Sequence, residues 1–198
     1  MKRSSNKPKH KATKLLKLRP TILAALLMGG VFGYEVTSYQ YSGISTADAV
    51  IQVRFSPGGH CTQFIEKTIA KAQKTILVQA YAFTSLPIAE ALIAAHQRGI
   101  VVKMLVDRSQ LTSKYSQVRH VMEQGVTVAV DRVPGIAHNK VMIIDDQYVL
   151  TGSFNWTQAA EKRNAENLVL INDAKTNSIY KAEWQQRAAR ARAPKFGK

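Results

Sequence analysis

At 198 residues with 45% hydrophobic content, the chain can bury the core of one domain, and disorder is excluded as its overall state. Its formal net charge of +15, from 28 basic and 13 acidic residues, points to a polyanionic partner, either nucleic acid or an anionic membrane surface. The single cysteine, Cys61, excludes an intrachain disulfide and a cysteine-rich metal site, and reads as a buried small hydrophobe.

Residues 1–20 hold eight Lys or Arg and no acid, and an apolar run follows from Thr21 to Gly33. That order is the signature of an export signal; the run is short for a bilayer span, which takes about 17 to 25 residues. Ala47-Asp48-Ala49 offers a small-x-small cleavage pattern, although it lies well beyond the apolar run. A cleaved signal peptide and an uncleaved inner-membrane anchor through residues 21–33 both remain open. In either case the positive flank stays inside, and the rest of the protein faces the periplasm. Residues 1–49 are thus expected to be signal or anchor plus linker, and residues 50–198 the folded domain. That domain still carries twenty basic and eleven acidic residues, a net +9.

From residue 50 the pattern alternates strand and helix. Val50–Phe55 alternates apolar and polar residues and ends at the turn Ser56-Pro57-Gly58-Gly59. His60 to Gln73 has Phe64, Ile65, Ile69 and Ala72 at helical spacing. Thr75–Phe83 is a β-rich run. Ser85 reads as the N-cap of a helix with Pro87 in its first turn, running to about Arg98 and closed by Gly99. A third strand is expected over Ile100–Val106, a third helix over Leu111–Gln124, and a fourth strand over Val126–Val130. Short strands over Lys140–Ile144 and Gln147–Thr151 flank Asp145-Asp146; another spans Asn167–Ile171, and a basic helix spans Thr176–Arg192. Repeated β–α units at this spacing predict an α/β fold, a mixed β-sheet flanked by helices.

The chemistry concentrates in residues 138–167. His138 and Lys140 are two apart at a strand start, which directs both side chains to one face. The strand ends at Asp145, and a second strand ends at Gly152-Ser153-x-Asn155, a tight turn that can present Ser153, Asn155 and backbone N–H groups together. A neutral imidazole can attack phosphorus and form a phosphohistidine. Lys140 and Asn155 can hold the non-bridging oxygens as charge accumulates, with Ser153 as a further donor. No cofactor is called for, and no metal. The carboxylates form no cluster suited to Mg²⁺, and the Lys140 ammonium can take the place of a Lewis acid.

His138, Lys140, Asp145, Gly152, Ser153 and Asn155 stand at the spacing H-x-K-x4-D-x6-G-S-x-N, and in this the chain resembles the phospholipase D superfamily. The resemblance runs through residues 50–198. It takes in the turn Phe55–Gly59, the strand Gln79-Ala-Tyr-Ala-Phe-Thr-Ser85 and Asn164-Ala165-Glu166-Asn167, and is closest to the small, exported, single-motif bacterial endonucleases. It implies the superfamily's α-β-α sandwich. It also implies a carboxylate, here Glu166, set against the other nitrogen of the nucleophilic His138 to fix its tautomer, and a supporting, more structural than catalytic role for Asp145. One chain supplies one motif, so a homodimer with its active site on the two-fold axis is expected to bring the second His138 as general acid. DNA or RNA is the expected substrate. A phospholipid phosphodiesterase or transphosphatidylase is the alternative, against which the polar flanks Asp131-Arg132 and Glu161-Lys162-Arg163 argue.

The remaining residues carry less. His60, His96 and His120 read as solvated helix residues. Trp156 reads equally as a base-stacking ring or a packing residue, and the Arg-rich stretch Lys181–Lys198 equally as a phosphate track or a solvated helix face with a frayed tail.

Overall fold

The computed structural model describes residues 49–196. The expected signal or anchor over residues 1–49 lies, but for Ala49, outside the described residues. Seven strands form one mixed sheet: β1 (Val50–Ser56), β2 (Thr75–Ala80), β3 (Val101–Val106), β4 (Thr127–Val130), β5 (Lys140–Ile144), β6 (Tyr148–Gly152) and β7 (Glu166–Asn172). Their order across the sheet is β1-β7-β6-β5-β2-β3-β4. The pairs β2–β3 and β3–β4 are parallel, because each connection carries a crossover helix. The strands of the other half pair antiparallel.

Alternation along the strands sorts side chains to two faces. Ile76, Val78, Met104, Met142, Ile144 and Leu150 pack in a large core with helices α1 (Cys61–Ala70), α2 (Leu86–Gln97) and α3 (Val118–Glu123). Leu77, Leu105, Val141, Ile143 and Val149 point the other way, against Trp184 of the long helix α5 (Ala174–Arg190). Strand β5 is buried along its whole length, which is why its sequence reads as a continuous apolar run rather than an alternating one. This sandwich matches the expected fold class. Among the described residues no helix is long and apolar enough to cross a membrane.

Three local expectations are corrected. Leu111–Gln124 is not one helix: a 3₁₀ turn, Arg108–Leu111, is followed by a loop and only then by α3. Hydroxyls compete with the helix here. Ser116 Oγ accepts from the Val118 amide at 3.3 Å, and Thr112 Oγ1 donates to the Ser109 carbonyl at 3.3 Å. A short helix, α4 (Gln158–Lys162), was not foreseen; it is too brief for periodicity, and Thr157 caps it by accepting from Ala160 N at 3.1 Å. The ladder of β2 stops at Ala80 rather than Phe83. Beyond it the chain serves the neighbouring loops instead: Tyr81 N donates to the Asn139 carbonyl at 3.2 Å, and Phe83 bridges Trp156. Trp156 is fully buried and donates from its indole to the Gln79 carbonyl at 3.0 Å, so it is a packing residue. Cys61 is buried as expected, and burial, reinforced by Glu161, pushes its thiol pKa up.

Candidate active site

His138, Lys140, Ser153, Asn155 and Glu166 line one open cleft of about 470 Å³, with Tyr180 of α5 also at its wall. Three neighbouring strands build it. Strand β5 starts at Lys140, β6 ends at Gly152, and β7 starts at Glu166, so antiparallel pairing brings these three ends together. Gly152 is required for the turn: it sits at φ +145°, and a Cβ there would lie 2.3 Å from the Asn167 carbonyl oxygen.

His138 is exposed, and among the described residues neither ring nitrogen carries a hydrogen bond. Its ring lies on Tyr81, centroids 4.5 Å apart. Lys140 is only 6% exposed; its Nζ donates to the His138 carbonyl at 2.5 Å and sits 4.9 Å from the centre of the Tyr81 ring. Burial lowers the Lys140 pKa, partly offset by the Glu166 charge. The cleft therefore holds a cation that is short of counter-charge, a setting that favours an anionic ligand.

Glu166 departs from expectation. Its carboxylate accepts from Ser153 Oγ at 2.5 Å and from Asn164 Nδ2 at 2.9 Å, and no contact with His138 is formed. The cause is register. Glu166 opens β7 beside the end of β6, whereas His138 precedes β5, one strand farther away. Ser153 Oγ also accepts from Asn167 N at 3.0 Å. With its proton committed to Glu166, Ser153 is the clamp of this carboxylate rather than a free donor. Asn155 also lines the cleft; its Oδ1 is buried without a partner, and no hydrogen bond among the described residues engages its Nδ2.

Asp145 lies at the far end of β5, five residues and about 17 Å of strand from Lys140. There its carboxylate accepts from the backbone N–H groups of Gln73, Lys74 and Thr75 at 3.0, 2.8 and 2.9 Å. It adopts φ +54° and closes the turn into β2. A supporting role in the site is thereby limited to architecture.

Two further residues escaped the sequence reading. Asp107, buried at the C-terminal end of β3, accepts from Ser109 N at 2.9 Å and from Ala137 N at 2.8 Å, which ties down the loop that delivers His138. Its own burial raises the carboxyl pKa, but hydrogen bonds from Ser109 and Ala137 and the Arg108 charge outweigh this and hold it below the usual range. Its place at a parallel strand's carboxyl end was the available signal. In the sequence Tyr81 reads only as part of a strand; its contact with His138 depends on tertiary structure. The other histidines are elsewhere. His120 is 2.7 Å from Glu90, His96 backs onto Gly125, and His60 precedes α1. No group of three or more His, Cys, Asp or Glu converges as a metal site among the described residues.

Comparison with known proteins follows the same lines. A family model described as "Cardiolipin synthase, PLD-like domain" matches residues 65–188. Phospholipase D of Rickettsia prowazekii is 42% identical over 163 residues, covering 82% of this chain and 76% of that protein. Nuc, a phospholipase D family member from Salmonella typhimurium, superposes with a TM-score of 0.69 at 36% identity, over 73% of this chain and 97% of that one. NucT from Helicobacter pylori shares the fold, with a TM-score of 0.71 at 24% identity over 74% of this chain and all of its own. Motif, fold and relatives agree: the chain belongs to the phospholipase D superfamily, as a phosphodiesterase of that family.

Proposed function

We propose that the protein is a metal-independent endonuclease that cleaves DNA or RNA through a covalent phosphohistidine on His138, at a site shared by two chains. The observation that carries this is the cleft itself, in which one unencumbered histidine stands beside a buried, undercompensated lysine and the amide of Asn155.

In the first step a ring nitrogen of His138 attacks phosphorus, a P–N bond forms and the P–O bond to the leaving group breaks. Lys140 and Asn155 hold the non-bridging oxygens as charge builds. The departing oxygen takes a proton from a general acid. Among the described residues no second histidine lines the cleft, so that acid is the partner's His138, brought in by a two-fold axis. Water, deprotonated by that same histidine, then attacks phosphorus and releases His138. Glu166 acts from its Ser153–Asn164 clamp, supplying negative charge close to Lys140.

Nucleic acid is favoured as substrate by the +9 of residues 50–198. A specific feature supports the lipid reading. Ile136, two residues before His138, is 55% exposed, and Phe55, paired with Asn167 beside the cleft, is 66% exposed. These apolar groups make the rim less polar than the sequence flanks imply, and the rickettsial relative carries the name phospholipase D. Export to the periplasm, by a cleaved signal or an anchor, completes the proposal.

The test offers plasmid, single-stranded DNA, RNA and phosphatidylcholine vesicles in parallel, in excess EDTA. Nucleic-acid cleavage that disappears in His138→Ala is the expected result; lipid turnover without nucleic-acid cleavage overturns it. Sedimentation of the active species checks the dimer, and a fully active monomer refutes the shared site.

A further inference from the structure

A second cleft, of about 300 Å³, lies between α5 and the loop that follows β4, and Arg132, Arg187 and Arg190 line it together with Asp131 and Glu183. The two acids are already engaged. Arg187 binds buried Asp131 at 2.6 Å and Glu183 at 3.4 Å. Arg132 and Arg190 are exposed and have no hydrogen bond, ion pair or ring contact among the described residues. Their positions are nonetheless fixed. Val130 and Arg192 pair antiparallel, with N···O distances of 2.7 and 3.0 Å. That bridge holds the chain just past α5 against the end of β4, and Arg132 and Arg190, each two residues from it, line the same cleft. Two like charges on one cleft without a free counter-charge repel, and an anion bound there removes the repulsion. The Asp131–Arg187 pair, whose carboxylate side chain is 5% exposed, clamps loop to helix beneath them, so little ordering remains when an anion binds.

Two segments of the chain lead from this cleft to the catalytic one. Along α5, Tyr180 lines the catalytic cleft, while Glu183, Arg187 and Arg190 line the second. These residues are spaced 3, 7 and 10 positions on from Tyr180 and share one helix face, which reaches about 15 Å. The other route is the loop 131–137, which leads from Arg132 to His138 and is held by Asp107 at Ala137. A stacked strand advances about 3.4 Å per nucleotide, so the length of α5 from Tyr180 to Arg190 corresponds to about four nucleotides. We infer that Arg132 and Arg190 form a remote phosphate subsite, which takes a backbone phosphate about four nucleotides from the scissile bond of a nucleic-acid strand. The inference rests on the endonuclease reading for its ligand, and it assigns to two named residues what the basic C-terminal stretch alone left open.

The experiment measures binding in a His138→Ala background, so that it does not depend on turnover, and cleavage in the otherwise wild-type chain. The probe is a fluorescein-labelled single strand of about 20 nucleotides, titrated across a salt series; the cleavage substrates are the same strand and the dinucleotide thymidylyl-thymidine. The double variant R132A/R190A is expected to bind the long strand about tenfold more weakly, and its slope of log affinity against log salt to shrink by about 0.7. R132K/R190K is expected to regain most of that slope. The loss of cleavage is expected to fall on the long strand, with the dinucleotide changed less than about twofold. An unchanged slope, or equal losses on both substrates, overturns the subsite. Vesicles of phosphatidylglycerol form the last arm: if the arginine variant loses vesicle binding while the long strand binds as before, the cleft serves a membrane and the inference fails. Failure of the endonuclease reading looks different: no cleavage of either nucleic acid by the wild-type chain, with arginine-dependent strand binding intact.

Discussion

The two ends of β5 carry motif residues of the same spacing pattern and do unrelated things. At its start, Lys140 is buried with its charge undercompensated, and His138 beside it has a ring without hydrogen bonds among the described residues. At its finish, Asp145 is fully engaged by three backbone N–H groups. The first end is left unsatisfied in a way that a ligand would correct. The second is satisfied by the fold itself. A residue's membership in a motif thus says nothing of which kind of work it does; the accounting of its partners does.

Substitutions at the two ends should separate activity from stability. The largest effect is expected from His138→Ala, which removes the nucleophile and should cut turnover by on the order of 10⁴-fold or more, with thermal unfolding unchanged. Retained turnover would remove the contrast altogether. Lys140→Met should lower kcat by about 10²- to 10³-fold and raise Tm, because it deletes a buried ammonium whose charged form burial disfavours. A fall in Tm would show that Lys140 is a structural cation. Asp145→Ala is the mirror image: three backbone donors are orphaned, a cost of about 2 to 3 kcal/mol in denaturant unfolding, while the folded fraction keeps kcat within about threefold. Asp107 lies between the two classes, since it stabilises the loop before His138. Asp107→Asn should lower kcat by about tenfold. It should also flatten the acid limb of stability. A carboxyl held below its usual pKa contributes stability that is present above about pH 4 and lost as pH falls through the folded value. Comparing Tm against pH for the two proteins checks that sign. The smallest effect is expected from Tyr81→Phe, which keeps the ring on His138 and Lys140 and should change kcat less than about twofold, whereas Tyr81→Ala should not be tolerated as well.

The sheet was legible because β5 and its neighbours are buried apolar runs bounded by turns, and the site because His138, Lys140, Gly152, Ser153 and Asn155 keep a fixed spacing across one hairpin. Local sequence carries both. The Ser153–Glu166 clamp was not legible: it depends on which strand end β7 meets. Nor was the broken helix after Leu111, where side-chain hydroxyls outcompete the backbone ladder. Asp107 and Tyr81 reach the site across strands remote in sequence, and no periodicity announces such contacts.

The central claim, a covalent intermediate on His138, is open to direct test by quenching the protein in alkaline SDS while it turns over a DNA phosphodiester labelled on phosphorus, followed by peptide mapping at alkaline pH. The account predicts an acid-labile, base-stable label on the peptide that contains His138, absent in His138→Ala. Label on another residue, or steady turnover with no labelled protein at any quench time, would contradict it.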